Sequence, residues 1–341
     1  MGRMFPTLFA ESNAENLFVV AAEGKIISHV GMTLQRAALG ACTVGVACIG
    51  AVATYEEYRG RGLATQLMEL ACDKAKSWGA DFMMISGGRG LYRRLGAADV
   101  GLDYRAEIGP DTASALYLDG FVLEPFSDRD LSTCVDLSRT KPAHFLRTLQ
   151  DWQAYTHSGF CMCREVEILL VRRRQTPLAY CVVSRDIAAK RIDLLEFAGD
   201  AVALAVALPS LMSRYEVSRV GMHLQTHDVA LQSLLAEAGA SLEPVMTSGT
   251  YLLLDVERLL ARMQPFFETR VGYQAGRTLR VRHEGERFHF SMNGDVCDEI
   301  LTDGKAEAAE LIFGSWKRDV GSGLLGQAFP IPSLWYGLNY V

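Results

Sequence analysis

The sequence predicts a mixed α/β protein of the α+β class, assembled in three parts. Three observations predict it. Residues 17–54 read as an antiparallel meander of β-forming runs, a glycine turn then feeds an amphipathic run and a short apolar one, and a second alternation of elements starts at Phe121. With 341 residues the chain has room for two or three domains at about 100 to 200 residues each.

The elements follow in order. Residues 17–22 and 25–34 read as strands joined at Glu23-Gly24, and residues 41–54, rich in Val, Ile, Thr and Cys, as a third. The stretch from Tyr55 to Gly62 is polar and carries glycines. Residues 63–78 then place Ala64, Leu67, Met68, Ala71, Ala75 and Trp78 at steps of three and four, which makes one helix face, and Gly79 supplies the stop. Residues 81–86 (DFMMIS) read as a buried strand, Gly87-Gly88 as a turn, and residues 91–95 as a short helix ending at Gly96.

Residues 111–120 read as a crossing segment before a fresh start at Phe121 to Pro125. Helices are predicted at 127–139 and 143–156, strands at 167–172, 178–184 and 192–198, a helix at 202–215, a strand at 219–225 and a helix at 230–238. A third region begins near Val256 with a helix over 256–265. Hairpin-like runs follow at 279–281 and 288–292 with Asn293-Gly294 as a turn, then a helix at 306–313 and the apolar tail FPIPSLWYGLNYV. The expected parts are residues 1–118, 119–255 and 256–341, packed together because no low-complexity linker separates them.

Composition bounds the function classes. With 49% hydrophobic and 22% charged residues the chain is globular rather than disordered. Lys+Arg 34 against Asp+Glu 40 gives a net charge of -6, which argues against nucleic acid as a partner and suits cationic ligands. Eight dilute cysteines, mostly among apolar neighbours, fit a reducing cytoplasm, and no apolar run is long enough to cross a bilayer, so no membrane partner is expected.

The segment Arg59-Gly60-Arg61-Gly62-Leu63-Ala64-Thr65 carries the chemistry. Between a strand and a helix it offers consecutive backbone N–H groups at a positive helix end, and its glycines let a phosphate approach the main chain. It lacks the order of a Walker loop and that of a dinucleotide fingerprint. Arg59, Gly62 and Ala64 match the Q/R-x-x-G-x-G/A signature of the GNAT N-acetyltransferase superfamily, which the segment resembles. Leu91-Tyr92-Arg93-Arg94-Leu95-Gly96 is similar to that superfamily's tyrosine-bearing second motif.

Across nearly its whole length the chain resembles the enhanced intracellular survival family of bacterial acetyltransferases. That family has tandem GNAT folds, the second degenerate, followed by a small sterol-carrier-protein-like α+β domain. The second part here has Asp200-Ala201-Val202-Ala203 where a cradle would stand, and the specific motifs lie in the first part and in the closing YGLNYV. The resemblance implies acetyl-CoA as co-substrate without a metal, an amine acceptor that is a small molecule or a lysine side chain, and a homo-oligomer. It implies that Val52, Ala53 and Thr54 bind the pantetheine arm and that Arg59, Gly60, Arg61, Gly62, Leu63, Ala64 and Thr65 hold the pyrophosphate. Tyr92 would be the general acid, and the α-carboxylate of Val341 the general base.

The chemistry suits those residue types. An amine with a pKa of about 10 must lose a proton before attacking a thioester, so a carboxylate is a suitable acceptor, and a phenol in reach protonates the leaving thiolate. Glu56 and Glu57 stand as the alternative base, and a non-catalytic acyl-CoA or lipid binder as the alternative function. A complete domain of this superfamily begins with a strand and two helices, whereas only residues 1–16 precede the first strand here. The first domain is therefore expected to be short by those elements, through a downstream start or with its acceptor wall supplied by another part or subunit. His29 reads as a hydrogen-bonded core or pocket-wall residue and the tail aromatics as anchors. His223 and His227, Cys161-x-Cys163 and the run Arg172-Arg173-Arg174 read as packing or solvated residues.

Overall fold

The computed structural model describes residues 1–293 and 297–341. The chain divides into two compact units. One comprises Thr7–Gly101, Met246–Leu334 and Val341; the other comprises Met1–Pro6, Leu102–Val245 and Trp335–Tyr340. Neither unit is a continuous stretch of sequence.

In the first unit the strands β1 (Leu17–Ala22), β2 (Lys25–Leu39), β3 (Cys42–Thr54) and β4 (Phe82–Ile85) lie side by side in that order. β1, β2 and β3 form the expected antiparallel meander, while β4 runs parallel to β3 as the crossover through α1 (Leu63–Trp78) requires. α1 buries Leu67, Met68, Ala71 and Ala75 against Val30 and Met32 of β2, Ala47 and Ile49 of β3, and Met83 and Ile85 of β4. The helix period on one side meets the strand period on the other, and that match fixes which sheet face the helix covers. α2 (Gly90–Arg94) follows β4.

The far edge of β4 is closed by Thr250–Leu253, which pairs with it antiparallel. The third region packs into the same unit through Asp81, whose fully buried carboxylate accepts from Gly45 N (2.8 Å), Arg258 Nε (2.9 Å) and Arg262 Nη1 (2.5 Å). The helix expected at 256–265 is two helices, Val256–Arg262 and Gln264–Val271, and a three-stranded antiparallel sheet of Arg280–Glu284, Arg287–Asn293 and Cys297–Asp303 follows. Its first hairpin turns at Gly285-Glu286, with Gly285 at φ 64°. The expected Asn293-Gly294 turn includes a residue outside the described ones. Phe267, Phe290 and Phe329 form the aromatic core there.

The other unit holds an eight-stranded sheet. Its order is Ser241–Val245, Asp103–Ile108, Arg219–Leu224, Arg191–Gly199, Thr176–Asp186, Arg164–Arg173 and Phe121–Pro125, with Phe160–Cys161 beside Arg164–Arg173. Helix Ala201–Tyr215 covers it with Leu204, Leu208 and Leu211 against Ile192, Leu194 and Val220. Two predictions are corrected here. Residues 143–156 are a strand, Ala143–Phe145, followed by helix Leu149–Ser158, because Thr148 and Asp151 form a capping box that starts the helix there. Within residues 111–120 most of helix Pro110–Ala115 lies where a plain crossing was expected. Among the described residues no helix is long and apolar enough to cross a membrane.

Candidate active site

β3 outruns its neighbour. Its parallel ladder with β4 ends at Ile49 opposite Ile85, and Ser86 N closes the last bond to Ile49 O, so residues 50–54 extend past β4. On the β2 side the register slips at the same level: Gly31 faces Gly50, but His29 faces Ala53, and Ala51 takes φ 51°. This is a β-bulge, with one extra residue on β3 that bends the strand and turns its carbonyls away from the ladder. Those carbonyls find other donors. His29 Nδ1 donates to Ala51 O (2.8 Å), Arg89 Nη1 to Val52 O (3.3 Å) and Arg59 Nε to Thr54 O (3.2 Å). The residues predicted to bind pantetheine, Val52, Ala53 and Thr54, therefore lie on the splayed strand end.

The cradle follows directly. Glu56–Tyr58 form a single 3-10 turn, Gly60 and Gly62 take φ 77° and 76°, and α1 starts at Leu63 with Gly62 as its N-cap. The N-cap, Gly62, has no side chain to cap that terminus, and the N–H groups of Leu63, Ala64 and Thr65 lack helical acceptors and point out of the helix start. A Cβ built at Gly60 or Gly62 meets nothing within 4 Å, so the glycines serve the left-handed backbone and leave room above it. Arg61 is exposed, donating to Glu57 O (3.2 Å) and lying over the Tyr58 ring. These features fit the pyrophosphate of a coenzyme A thioester.

Tyr92 sits in α2 and is 3% exposed, packed in the same cluster as Leu67 and Met68 of α1. Burial raises its pKa, opposed by the positive charge of Arg89, so the phenol stays protonated through neutral pH and is a competent donor. Val341 is 1% exposed and lies against Gly50: a Cβ on Gly50 would overlap the carboxyl carbon and oxygen of Val341. Only glycine permits that approach. Glu56 and Glu57, the alternative base, are exposed in the 3-10 turn.

The remaining candidates separate from this place. Helix Ala201–Tyr215 of the other unit, the counterpart of α1, begins with Asp200, whose side chain accepts from Ala203 N (2.8 Å). Its N-terminus is occupied by its own carboxylate. His223 pairs with Asp103 (2.8 Å) and stacks on Trp335 at 3.8 Å, Arg172 pairs with Glu124 and Asp130, and Cys161 is buried while Cys163 is exposed. Phe329 and Tyr336 are fully buried. Sequence reasoning missed Gly50, Arg89 and the partner of the hydrogen-bonded His29, Ala51 O. A glycine inside a strand signals a bulge or a close backbone approach, and Gly50 is both.

Comparisons with known proteins bear on the fold. Residues 7–99 match the family described as "Acetyltransferase (GNAT) domain". A search of curated protein sequences gives no match. Among solved structures the chain is similar to a GCN5-related N-acetyltransferase from Anabaena variabilis (TM-score 0.64, 15% identity, covering 98% of this chain and 94% of that one). It is also similar to Eis1 from Mycobacterium abscessus (0.62, 14%, 98% and 94%) and to a GCN5-related N-acetyltransferase from Kribbella flavida (0.62, 15%, 94% and 88%). The fold is thus a mixed α+β GNAT-like architecture.

Proposed function

We propose that this chain is an acetyl-CoA-dependent N-acetyltransferase that acylates a primary amine by direct attack in a ternary complex. One observation carries the reading: Val341, the splayed end of β3 and the uncapped start of α1 are brought to one strand end, although more than 270 residues of sequence separate Val341 from the other two. Bound acetyl-CoA supplies an acyl thioester as electrophile. Backbone groups of Val52, Ala53 and Thr54 bind the pantetheine arm, and the N–H groups of Gly60 to Thr65 hold the pyrophosphate with Arg59 and Arg61 beside them. The Val341 carboxylate takes a proton from the amine, directly or through water, and the Tyr92 hydroxyl donates its proton to the departing thiolate. The buried position of Val341 against Gly50 favours it over the exposed Glu56 as base.

The test is thiol release from acetyl-CoA with an amine panel, beside calorimetric titration of acetyl-CoA. Tyr92→Phe is expected to lower kcat by roughly 10²-fold or more with little change in acetyl-CoA affinity. Arg61→Ala combined with Gly62→Val is expected to weaken that affinity. Absence of amine-dependent thiol release in the wild type would overturn the catalytic reading. A second reading, an acyl-CoA or lipid binder, draws support from an open groove of about 310 Å³ in the third region, where Leu260, Phe267, Leu279 and Val281 line it together with Glu257, Gln264, Arg277 and Arg280. Tight coenzyme A binding without turnover would favour it. The three-stranded sheet with helix Gly304–Phe313 supports reading that region as sterol-carrier-protein-like.

A further inference from the structure

The unit of Leu102–Val245 and Trp335–Tyr340 repeats the strand end that carries the site in the other unit. Its strand Arg191–Gly199 runs parallel to Arg219–Leu224 only as far as Leu194 opposite Met222. On its other side the register slips at the same level, Val183 facing Leu194 but Val182 facing Glu196, so Leu195 is the extra residue of a bulge. Helix Ala201–Tyr215 follows, as α1 follows β3. The two strands therefore part as β3 and β4 part, and here the chain itself enters the split. Trp335 stands in it: its indole Nε1 donates to Leu195 O (2.6 Å) and its ring stacks on His223, the two residues just past the last ladder pair. The pocket left beside it measures about 40 Å³, room for a few water molecules rather than a pantetheine arm.

The hold continues along the tail. Glu196, next after Leu195, accepts from Leu338 N (2.8 Å), from Arg147 Nη1 and Nη2 (2.7 and 2.8 Å) and from Tyr180 OH (2.7 Å). Arg147 Nε donates to Asn339 Oδ1 (2.5 Å), and Asn339 Nδ2 donates to Tyr155 OH (3.3 Å). The Arg147 and Glu196 side chains are 6% and 11% exposed and Asn339 is fully buried, so these bonds are made away from water, where a lost partner is costly. Burial pushes the Glu196 carboxyl up, but Arg147 and the other donors outweigh it and hold its pKa below the usual carboxylate value. Gly337 opens the 3-10 turn Gly337–Asn339 at φ 50°, and a Cβ there would stand 1.9 Å from Glu196 Oε2. The closing YGLNYV is thus an anchor at Gly337, Leu338 and Asn339 followed by two residues that end in the carboxylate.

We propose that Glu196, Arg147 and Trp335 are positioning residues for the general base: the counterpart of the strand end assigned to the coenzyme arm grips the chain's own tail and so limits where the Val341 carboxylate can lie. This rests on the acetyltransferase reading above. Val341 is two residues beyond Asn339, and a chain spans at most about 3.6 Å per residue, so a held Asn339 leaves the carboxylate a reach of roughly 7 Å. A tail released from Trp335 onward would leave it roughly 25 Å. Proton transfer from a bound amine needs the tighter of the two.

The experiment approaches the grip from both sides in the full-length chain. Gly337→Ala drives a methyl group onto Glu196 while the bonds among Arg147, Tyr180 and Glu196 remain, and Glu196→Gln weakens the hold from the strand side. Either variant is expected to lower kcat by roughly 10-fold or more, with acetyl-CoA affinity within about twofold. Limited carboxypeptidase digestion, read by mass, is expected to spare Val341 in the wild type and to remove Val341 and Tyr340 from the variants, while their melts by circular dichroism stay cooperative. A purely structural role would lower the melting temperature without this split between kcat and affinity. Should Glu196→Gln melt early, Gly337→Ala decides. A folded variant with undiminished kcat, or with a lowered kcat and a protected tail, overturns the proposal, and so does ready loss of Val341 from the wild type. A wild type inert toward every amine overturns the acetyltransferase reading, and with it the catalytic purpose of the hold, whatever the digestion shows.

Discussion

Gly50 joins two functions in one residue, because it stands at the bulge of β3 and faces the last residue of the chain. Gly50→Ala should push Val341 away at a cost of about 1 to 3 kcal/mol of overpacking. The expected outcome is a lowered melting temperature and a loss of turnover of at least about 10-fold, because a displacement of even ~1 Å spoils proton transfer. Acetyl-CoA affinity, measured by calorimetry, should change little. For Tyr92 the sign of the pH dependence follows from the direction of its shift. The donor is the protonated phenol, and burial raises its pKa, so the phenol remains a donor to higher pH than an ordinary tyrosine of about 10. The pH profile of kcat should show no alkaline fall assignable to Tyr92 below that value. An alkaline limb near pH 8 that disappears in Tyr92→Phe would contradict the assignment.

At the scale of elements, the contrast between two helix starts carries most of the functional argument. α1 begins at an uncapped left-handed glycine, whereas helix Ala201–Tyr215 begins at a self-capping aspartate. Gly62→Ala forces an L-residue into φ 76° and should cost about 1 kcal/mol in stability, with weaker acetyl-CoA binding seen by titration. This contrast could be read in the sequence, since a glycine-bearing turn and an Asp cap have local signatures. So could the bounds of α1, β1 and β3, where periodicity and glycines agree, whereas β2 runs on to Leu39 past the expected end at Leu34. The split of residues 143–156 was written in Thr148 and Asp151, but an apolar pattern running across both pieces hid it. Bonds made at a distance, such as Arg89 to Val52 O or His29 to Ala51 O, have no local signature, because they depend on a bulge that only strand pairing creates.

For the whole molecule, strand exchange decides how the sequence is partitioned. Asp103–Ile108 lies between Ser241–Val245 and Arg219–Leu224 in one sheet, and Thr250–Leu253 completes the other. A three-part division of the sequence at residues 118 and 255 therefore cuts across both compact units. A fragment of residues 1–118 leaves the edge of β4 unpaired and removes both arginine partners of Asp81. It should aggregate or melt without cooperativity by circular dichroism, where the full chain melts sharply. In the full chain Asp81→Ala removes a carboxylate partner from two partly buried guanidinium groups and the acceptor of an N–H, leaving Arg258 on Asp255 and Arg262 on Gly79 O, with an expected loss of about 3 kcal/mol in urea unfolding.

The late strand also sets a clock. On a ribosome adding about 5 to 20 residues per second, the partner of β4 emerges roughly 10 to 30 seconds after β4 itself. Throughout that interval the nascent sheet offers an open apolar border to any neighbouring chain. Cells that synthesise this protein must either slow such encounters or shield that border, and ribosome-bound chaperones should be found on chains arrested between residues 86 and 250 more than on longer ones.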